Sequence, residues 1–497
     1  MNNIEPLQIA LLHPKTMFKF PLAAVTKYYA KVAGQIFIAL RGTSLGSLLG
    51  QDWRRDLAIR MALYLEDIVS EVGIWASFTR KCGELYGKPL PMVECPDDYY
   101  ANEPNIEDLM FLTWLAAIDD ICEEDYLAFS PTSPQVLEVA EKIFPIIDKE
   151  FDMAPVNEEF VAALDEMGEH TDFYELRSWL DYFVSHCYLT NSSLENDLIE
   201  EIFSLHAEGG LDESQCHYLA NVFAAFSCKV GPLALKPVEW LTMLLRERDN
   251  EAMARIVEQI EVRENQGYKV VERSDEALTL EDCKSDTYTL EIDSLGIVLN
   301  EEQEMEDAIG AESCIMSIVR YNGKWLLNGF ARFDNATRLY DDYAAMQAEY
   351  DKKRQKVLKS FKKMSHDEEL FFFRDLDEYR SFCKRNFPGI DIDTGSLQEV
   401  ENINNIVVYF SKTGIVKAMP NAAQYIKADD NPFYDDSEAT REDALELFFG
   451  DNGITGDTLS HIINHDMLDG LKLDPDEAPL TRDELDMLAR ARLRNRY

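Results

Sequence analysis

Residues 119–125 read Asp-Asp-Ile-Cys-Glu-Glu-Asp, five carboxylates in seven positions. Asp119 and Glu123 are four apart, so on a helix over residues 106–122 they share a face. Carboxylates placed this way can hold Mg²⁺, a hard cation that takes oxygen ligands and commonly bridges to phosphate. Asp119, Asp120 and Glu123 are thus the candidate ligands of a metal-dependent enzyme. Two observations weigh the other way. The region lacks the Lys and Arg that would neutralise a phosphorylated substrate. In so acidic a stretch, composition alone produces such clusters.

His461 and His465 stand at i, i+4 in Ser-His-Ile-Ile-Asn-His-Asp, a spacing that lets two imidazoles meet one metal. A zinc-protease pattern needs Glu at 462, where Ile stands. A surface helix with two incidental histidines is the simpler expectation. Cys216 and His217 are adjacent, so they point to different helix faces. No Gly-x-Ser-x-Gly elbow and no phosphate-binding loop occurs. Gly42, Gly46 and Gly50 lack the Lys and preceding strand of such a loop and read as a connection. No cofactor is implied. The expectation is a non-enzymatic binding or adaptor protein, with the metal-dependent enzyme as the alternative.

Charge says which partners to expect. The 497 residues carry a net −44. Residues 1–88 hold eleven Lys/Arg against seven Asp/Glu, whereas residues 89–228 hold 31 Asp/Glu against three Lys/Arg. That acidic stretch should repel duplex DNA and anionic membrane, because both are bound through Lys and Arg. It serves either solubility or the attraction of a basic protein surface. The opposite pole is residues 351–363, with seven Lys/Arg and one Asp. Lys352, Lys353 and Arg354 at its start are candidate contact residues, and the simplest use of this helix is intramolecular, against the acidic domain. Tyr321 and Trp325 flank Asn322-Gly323 and are candidates for an exposed aromatic platform, with cross-strand packing inside a small sheet the simpler expectation.

The nine cysteines include no Cys-x-x-Cys pair and suggest a reducing compartment. The first twenty residues make a poor signal peptide. No apolar run approaches the ~20 residues of a membrane helix. A cytoplasmic protein without membrane contact is expected.

These residues need elements to hold them. Helical periodicity runs from residue 1 to about 262, with helices over residues 22–40, 53–72, 74–86, 106–122, 134–150, 173–188, 194–205, 213–226, 237–246 and 251–262. At Gly267 the pattern shifts to short alternating runs, 268–272, 277–280 and 287–292. Residues 315–321 and 324–330 flank Asn322-Gly323, a pair that tolerates the positive φ of a type I′ turn. The expected architecture is mainly α. An acidic all-α domain over 1–262 precedes a small antiparallel β-barrel-like module over 267–333. A long basic helix over 336–364 leads to an α+β C-terminal domain over 365–497, with a second hairpin at 406–410 and 415–419.

Two blocks carry a resemblance. ALYLEDIVSEVGIWASFTRKCGELYGKPLP at 62–91, and RYNGKWLLNGF at 320–330 with DNPFYDD at 430–436, resemble an uncharacterised family of bacterial cytoplasmic proteins classed as a domain of unknown function. The resemblance implies no activity, cofactor or catalytic residue. The hairpin block is also similar to a β-module of bacterial proteins that end in a cysteine-rich zinc motif, which is absent here. Asp-Asp-x-x-Glu at 119–123 is similar to the aspartate-rich motif of isoprenoid synthases. The second metal motif of those enzymes is not matched, because Glu200 stands where a hydroxyl belongs.

Overall fold

The computed structural model describes residues 4–17, 19–120, 130–192, 199–200, 202–204, 213–274, 276–292, 308–364, 368–389, 403–413, 416–450, 454, 456–468, 470–473 and 478–497. Two compact units result, Met1–Asp341 and Asp342–Tyr497. The chain is mainly α, with a small barrel and a further sheet. Among the described residues no helix is long and apolar enough to cross a membrane.

The first unit begins with helices α1 (Pro6–Ala10), α2 (Ala24–Leu40), α3 (Ser44–Leu48), α4 (Gly50–Ser70), α5 (Ile74–Tyr86), α6 (Ile106–Asp120), α7 (Pro134–Phe151), α8 (Glu158–Asp165), α9 (Phe173–Ser185), α10 (Glu213–Phe226), α11 (Pro237–Glu247) and α12 (Glu251–Glu258). Trp75, Trp114, Trp179 and Trp240 are fully buried, and Phe78 packs against Trp75 at 5.1 Å and Phe111 at 5.3 Å between ring centroids. Such aromatic contacts add to the area term that drives core formation. Helix α4 lies at the centre. Every residue from Leu57 to Ile68 is buried, including Arg60, Glu66 and Asp67.

Strands β1 (Glu261–Arg273), β2 (Ala277–Glu281), β3 (Thr287–Glu291), β4 (Ser313–Tyr321) and β5 (Lys324–Asp334) close a barrel in the order β1-β2-β3-β5-β4. Four ladders are antiparallel, and β3 meets β5 in parallel at Leu290 and Trp325. Asn322 and Gly323 have φ of 47° and 79°, as a type I′ turn requires. Strand β1 starts six residues before the Gly267 transition, because α12 already ends at Glu258. Gly329, at φ +112°, lets β5 approach α10, where an added Cβ would sit 3.4 Å from Leu219.

Asn328 beside it is fully buried, and among the described residues neither its Oδ1 nor its Nδ2 has a hydrogen-bond partner. A buried amide left so costs about 1–3 kcal/mol. Asn328→Leu, of similar volume, is therefore expected to stabilise the protein by about 1 kcal/mol or more in chemical unfolding. A loss of stability would show that the amide is satisfied.

Helix α13 (Arg338–Met364), which belongs to the second unit from Asp342 on, precedes a three-stranded sheet, β6 (Leu370–Asp375), β7 (Asn404–Phe410) and β8 (Val416–Met419), with helices α14 (Leu376–Asn386), α15 (Glu438–Phe449), α16 (Gly456–Asn464) and α17 (Arg482–Leu493). Val357 and Phe361 of α13 join the core with Phe373, Tyr379, Ile406, Val408 and Phe410. Strand β6 has no counterpart in the sequence reading: Leu-Phe-Phe-Phe is a short continuous apolar run, in which periodicity does not distinguish strand from helix.

Candidate functional site

A cleft of about 270 Å³ opens between the chain ahead of α2, the N-terminus of α2 and the start of α8. His13, Thr26, Lys19, Asn157, Glu158 and Glu159 are its polar lining. Glu66 of α4 holds one wall. His13 Nε2 lies 2.7 Å from Glu66 Oε2, and Asn157 Nδ2 donates to Glu66 Oε1 at 2.9 Å. Asn157 is fixed twice more: its backbone N–H donates to Ser70 Oγ at 2.8 Å, and its Oδ1 accepts from Phe160 N–H as the cap of α8. Burial alone would lower the His13 pKa. The adjacent Glu66 charge, its hydrogen bond and the Glu159 charge outweigh that, and the pKa is raised. One imidazole nitrogen is thus committed to Glu66, and Nδ1 is left for other partners.

Two further carboxylates of the interior organise this unit. Asp67 accepts from the backbone N–H of Gly73, Ile74 and Trp75 at 2.9, 3.1 and 2.7 Å, and from Tyr188 Oη at 2.8 Å. It caps α5 from the preceding helix, where Gly73 has no side chain to do so. Asp108 accepts from Tyr64 Oη at 2.6 Å, Tyr99 Oη at 2.7 Å and Asn105 Nδ2 at 3.2 Å. Burial pushes its pKa up to about 7 against these three donors.

The residues singled out from the sequence fall elsewhere. Asp119 is buried, with Oδ2 3.6 Å from Arg60 Nη2; Arg60 also binds Asp56 at 2.6 Å and the Asn191 carbonyl at 2.7 Å. A guanidinium thus stands beside the carboxylate that a metal would need. Glu123 lies outside the described residues, as does the side chain of Asp120. Among the described residues no group of three His, Cys, Asp or Glu could hold a metal ion. His461 and His465 do stack, with ring centroids 4.0 Å apart. His461 Nδ1 faces Glu369 Oε2 at 3.0 Å, and Glu369 also meets Lys412 at 2.9 Å. Burial first, then His465, lowers the His461 pKa.

Tyr321 is buried, not an exposed platform. Its hydroxyl donates to the Thr171 carbonyl at 2.7 Å, and its ring lies 5.9 Å from Phe173. Trp325 packs edge-on against Tyr288 at 5.0 Å in the barrel. Lys352 and Lys353 are exposed on α13, whereas Arg354 Nε donates to the Thr413 carbonyl.

The hairpin instead braces an acidic segment. Residues 165–175 present Asp165, Glu166, Glu169, Asp172 and Glu175, all exposed. Asn322 Nδ2 donates to the Glu169 carbonyl at 3.3 Å, Gly168 N–H to Thr171 Oγ1 at 2.9 Å, and Asp172 caps α9 through Tyr174 and Glu175 N–H. Arg248 pairs with Asp165 at 2.5 Å; Glu166, Glu169 and Glu175 have no ion-pair partner among the described residues.

His13, Thr26, Glu66 and Asn157 are not among the residues that composition and motif spacing single out. One signal was available: Glu66-Asp67 interrupts a helix that is apolar on both sides of the pair, inside the 62–91 block.

A family model described as a protein of unknown function (DUF3843) matches residues 4–291 and 327–494. No curated protein and no solved structure matches the chain.

Proposed function

We propose that this chain, which belongs to the DUF3843 family of proteins of unknown function, works by binding, presenting residues 165–175 to a basic protein partner. The observation that carries the reading is the bracing of that segment. Five exposed carboxylates stand within eleven residues, on a backbone held by the hairpin tip at the Thr171 and Glu169 carbonyls and by the Asp172 cap, and among the described residues Arg248 alone pairs with one of them. A backbone already held in place loses little freedom on association. Clustered charge also accelerates encounter with an opposite surface. Duplex DNA would be repelled from the same face. A cytoplasmic setting belongs to this reading, and none of the eight described cysteines forms a disulfide. The alternative, a metal enzyme at Asp119, Asp120 and Glu123, would have to free Asp119 from Arg60.

A titration with oligolysine tests the face. The triple variant Glu166→Gln, Glu169→Gln, Glu175→Gln is expected to bind the probe about tenfold more weakly than the native chain at low salt. Equal binding by both proteins would refute this placement of the surface.

A further inference from the structure

The cleft beside His13 is lined by groups of opposite chemical character. Part of the lining is the N-terminus of α2, a 17-residue helix whose N-cap Ala23 makes no side-chain cap and whose first turn holds no acidic residue. The first backbone N–H groups of a helix have no intrahelical acceptor and carry partial positive charge. Thr26, in this first turn, lines the cleft, is 7% exposed, and its hydroxyl has no hydrogen-bond partner among the described residues. His13 also lines the cleft, its ring set by Glu66 and lying edge-on to Phe160 of α8. This part of the chain is also its basic part, residues 1–88 being the stretch in which Lys and Arg outnumber Asp and Glu.

Glu158 and Glu159 at the start of α8 line the same cleft. Lys19 neutralises Glu159 at 2.5 Å. Glu158 is exposed and has no ion-pair partner among the described residues. The lining also includes the apolar residues Met17, Leu22, Val25 and Val156. An anion alone would satisfy the α2 end and be repelled by Glu158; a cation alone would leave the helix terminus and the Thr26 hydroxyl unanswered.

We propose that this cleft binds a free apolar α-amino acid, with its carboxylate on the α2 N-terminus and the Thr26 hydroxyl, its ammonium on Glu158, and its side chain over Met17, Leu22 and Val156. The volume, about 270 Å³, suits a molecule of that size and is below that of drug-sized sites. The inference is independent of the acidic segment at 165–175, none of whose residues lines the cleft.

Calorimetric titration of the full chain tests it. The probes are L-valine, L-leucine, L-isoleucine, L-methionine and L-phenylalanine, with 4-methylpentanoate and 3-methylbutylamine as leucine lacking one charged group, and inorganic phosphate. At least one amino acid is expected to bind and to raise the melting temperature at about 10 mM. For leucine, each one-charge analogue is expected to be at least tenfold weaker. Thr26→Val should weaken leucine and 4-methylpentanoate about tenfold and leave the amine unchanged, whereas Glu158→Gln should weaken leucine and the amine and leave 4-methylpentanoate unchanged. Glu158 is exposed, so its variant keeps the test open if Thr26→Val disturbs folding. Phosphate binding without amino-acid binding, no binding by any of the five, or amino-acid affinity indifferent to both substitutions would each overturn the proposal.

Discussion

Asp67→Ala is expected to destabilise the first unit by about 4 kcal/mol, a fall of roughly 6 °C in its melting midpoint. The carboxylate accepts four hydrogen bonds, three from the first turn of α5 and one from Tyr188. Truncation leaves four buried donors without an acceptor, and a buried unsatisfied group costs about 1–3 kcal/mol. Some of that cost is relieved by repacking and water entry. Asp67→Asn keeps one acceptor oxygen and should lose about half as much. The measurement is chemical or thermal unfolding of both variants. An Asp67→Ala protein within about 1 kcal/mol of the native chain would mean that α5 does not depend on this cap.

The second large effect is a pH dependence of defined sign. Asp108 is fully buried, and its pKa is raised from the ordinary carboxylate value to about 7, chiefly by burial. Between the unfolded pKa near 4 and the folded value, the folded chain holds a proton that the unfolded chain has released. Its contribution to stability is therefore full below about pH 4 and is lost as pH rises through about 7. The shift corresponds to a loss on the order of 4 kcal/mol. Many other carboxylates titrate over the same range, so the informative quantity is the difference between the native chain and Asp108→Asn. Relative to that variant, the native chain should lose stability from pH 4 to pH 8 in urea unfolding. A difference that stays flat, or grows with pH, would contradict the account of Asp108 as a carboxyl held neutral by burial.

What is local in this chain is legible in its sequence, and what depends on distant partners is not. Helices α5 and α10 run over Ile74–Tyr86 and Glu213–Phe226, the bounds that periodicity and breakers predict. The Asn322-Gly323 hairpin is legible because only certain residues accept two successive positive φ angles. Both are local properties. Asp67 and Asp108 look like surface carboxylates in the sequence, since nothing local says that Gly73 N–H or Tyr64 Oη will face them. Their hydrogen-bond partners lie 3 to 121 residues away. The His13 cleft needs the same long-range information, joining residues 13, 66 and 157. Composition pointed instead to Asp119, whose neighbour in space is the Arg60 guanidinium. Tyr321 was singled out for its place beside the turn, and its contact is the acidic loop of its own unit.

The claim that residues 165–175 form a contact surface for a basic partner is tested most directly by isolating what the protein binds in its native cells. The native chain and the Glu166→Gln, Glu169→Gln, Glu175→Gln variant serve as paired baits, each washed at low and at high salt. Raising salt from 0.1 M to 1 M shortens the screening length from roughly 10 Å to about 3 Å. The account predicts a partner with a basic surface that is retained by the native bait at low salt, released at high salt, and absent from the variant. A partner that is itself acidic, or one held equally by both baits at high salt, would contradict it.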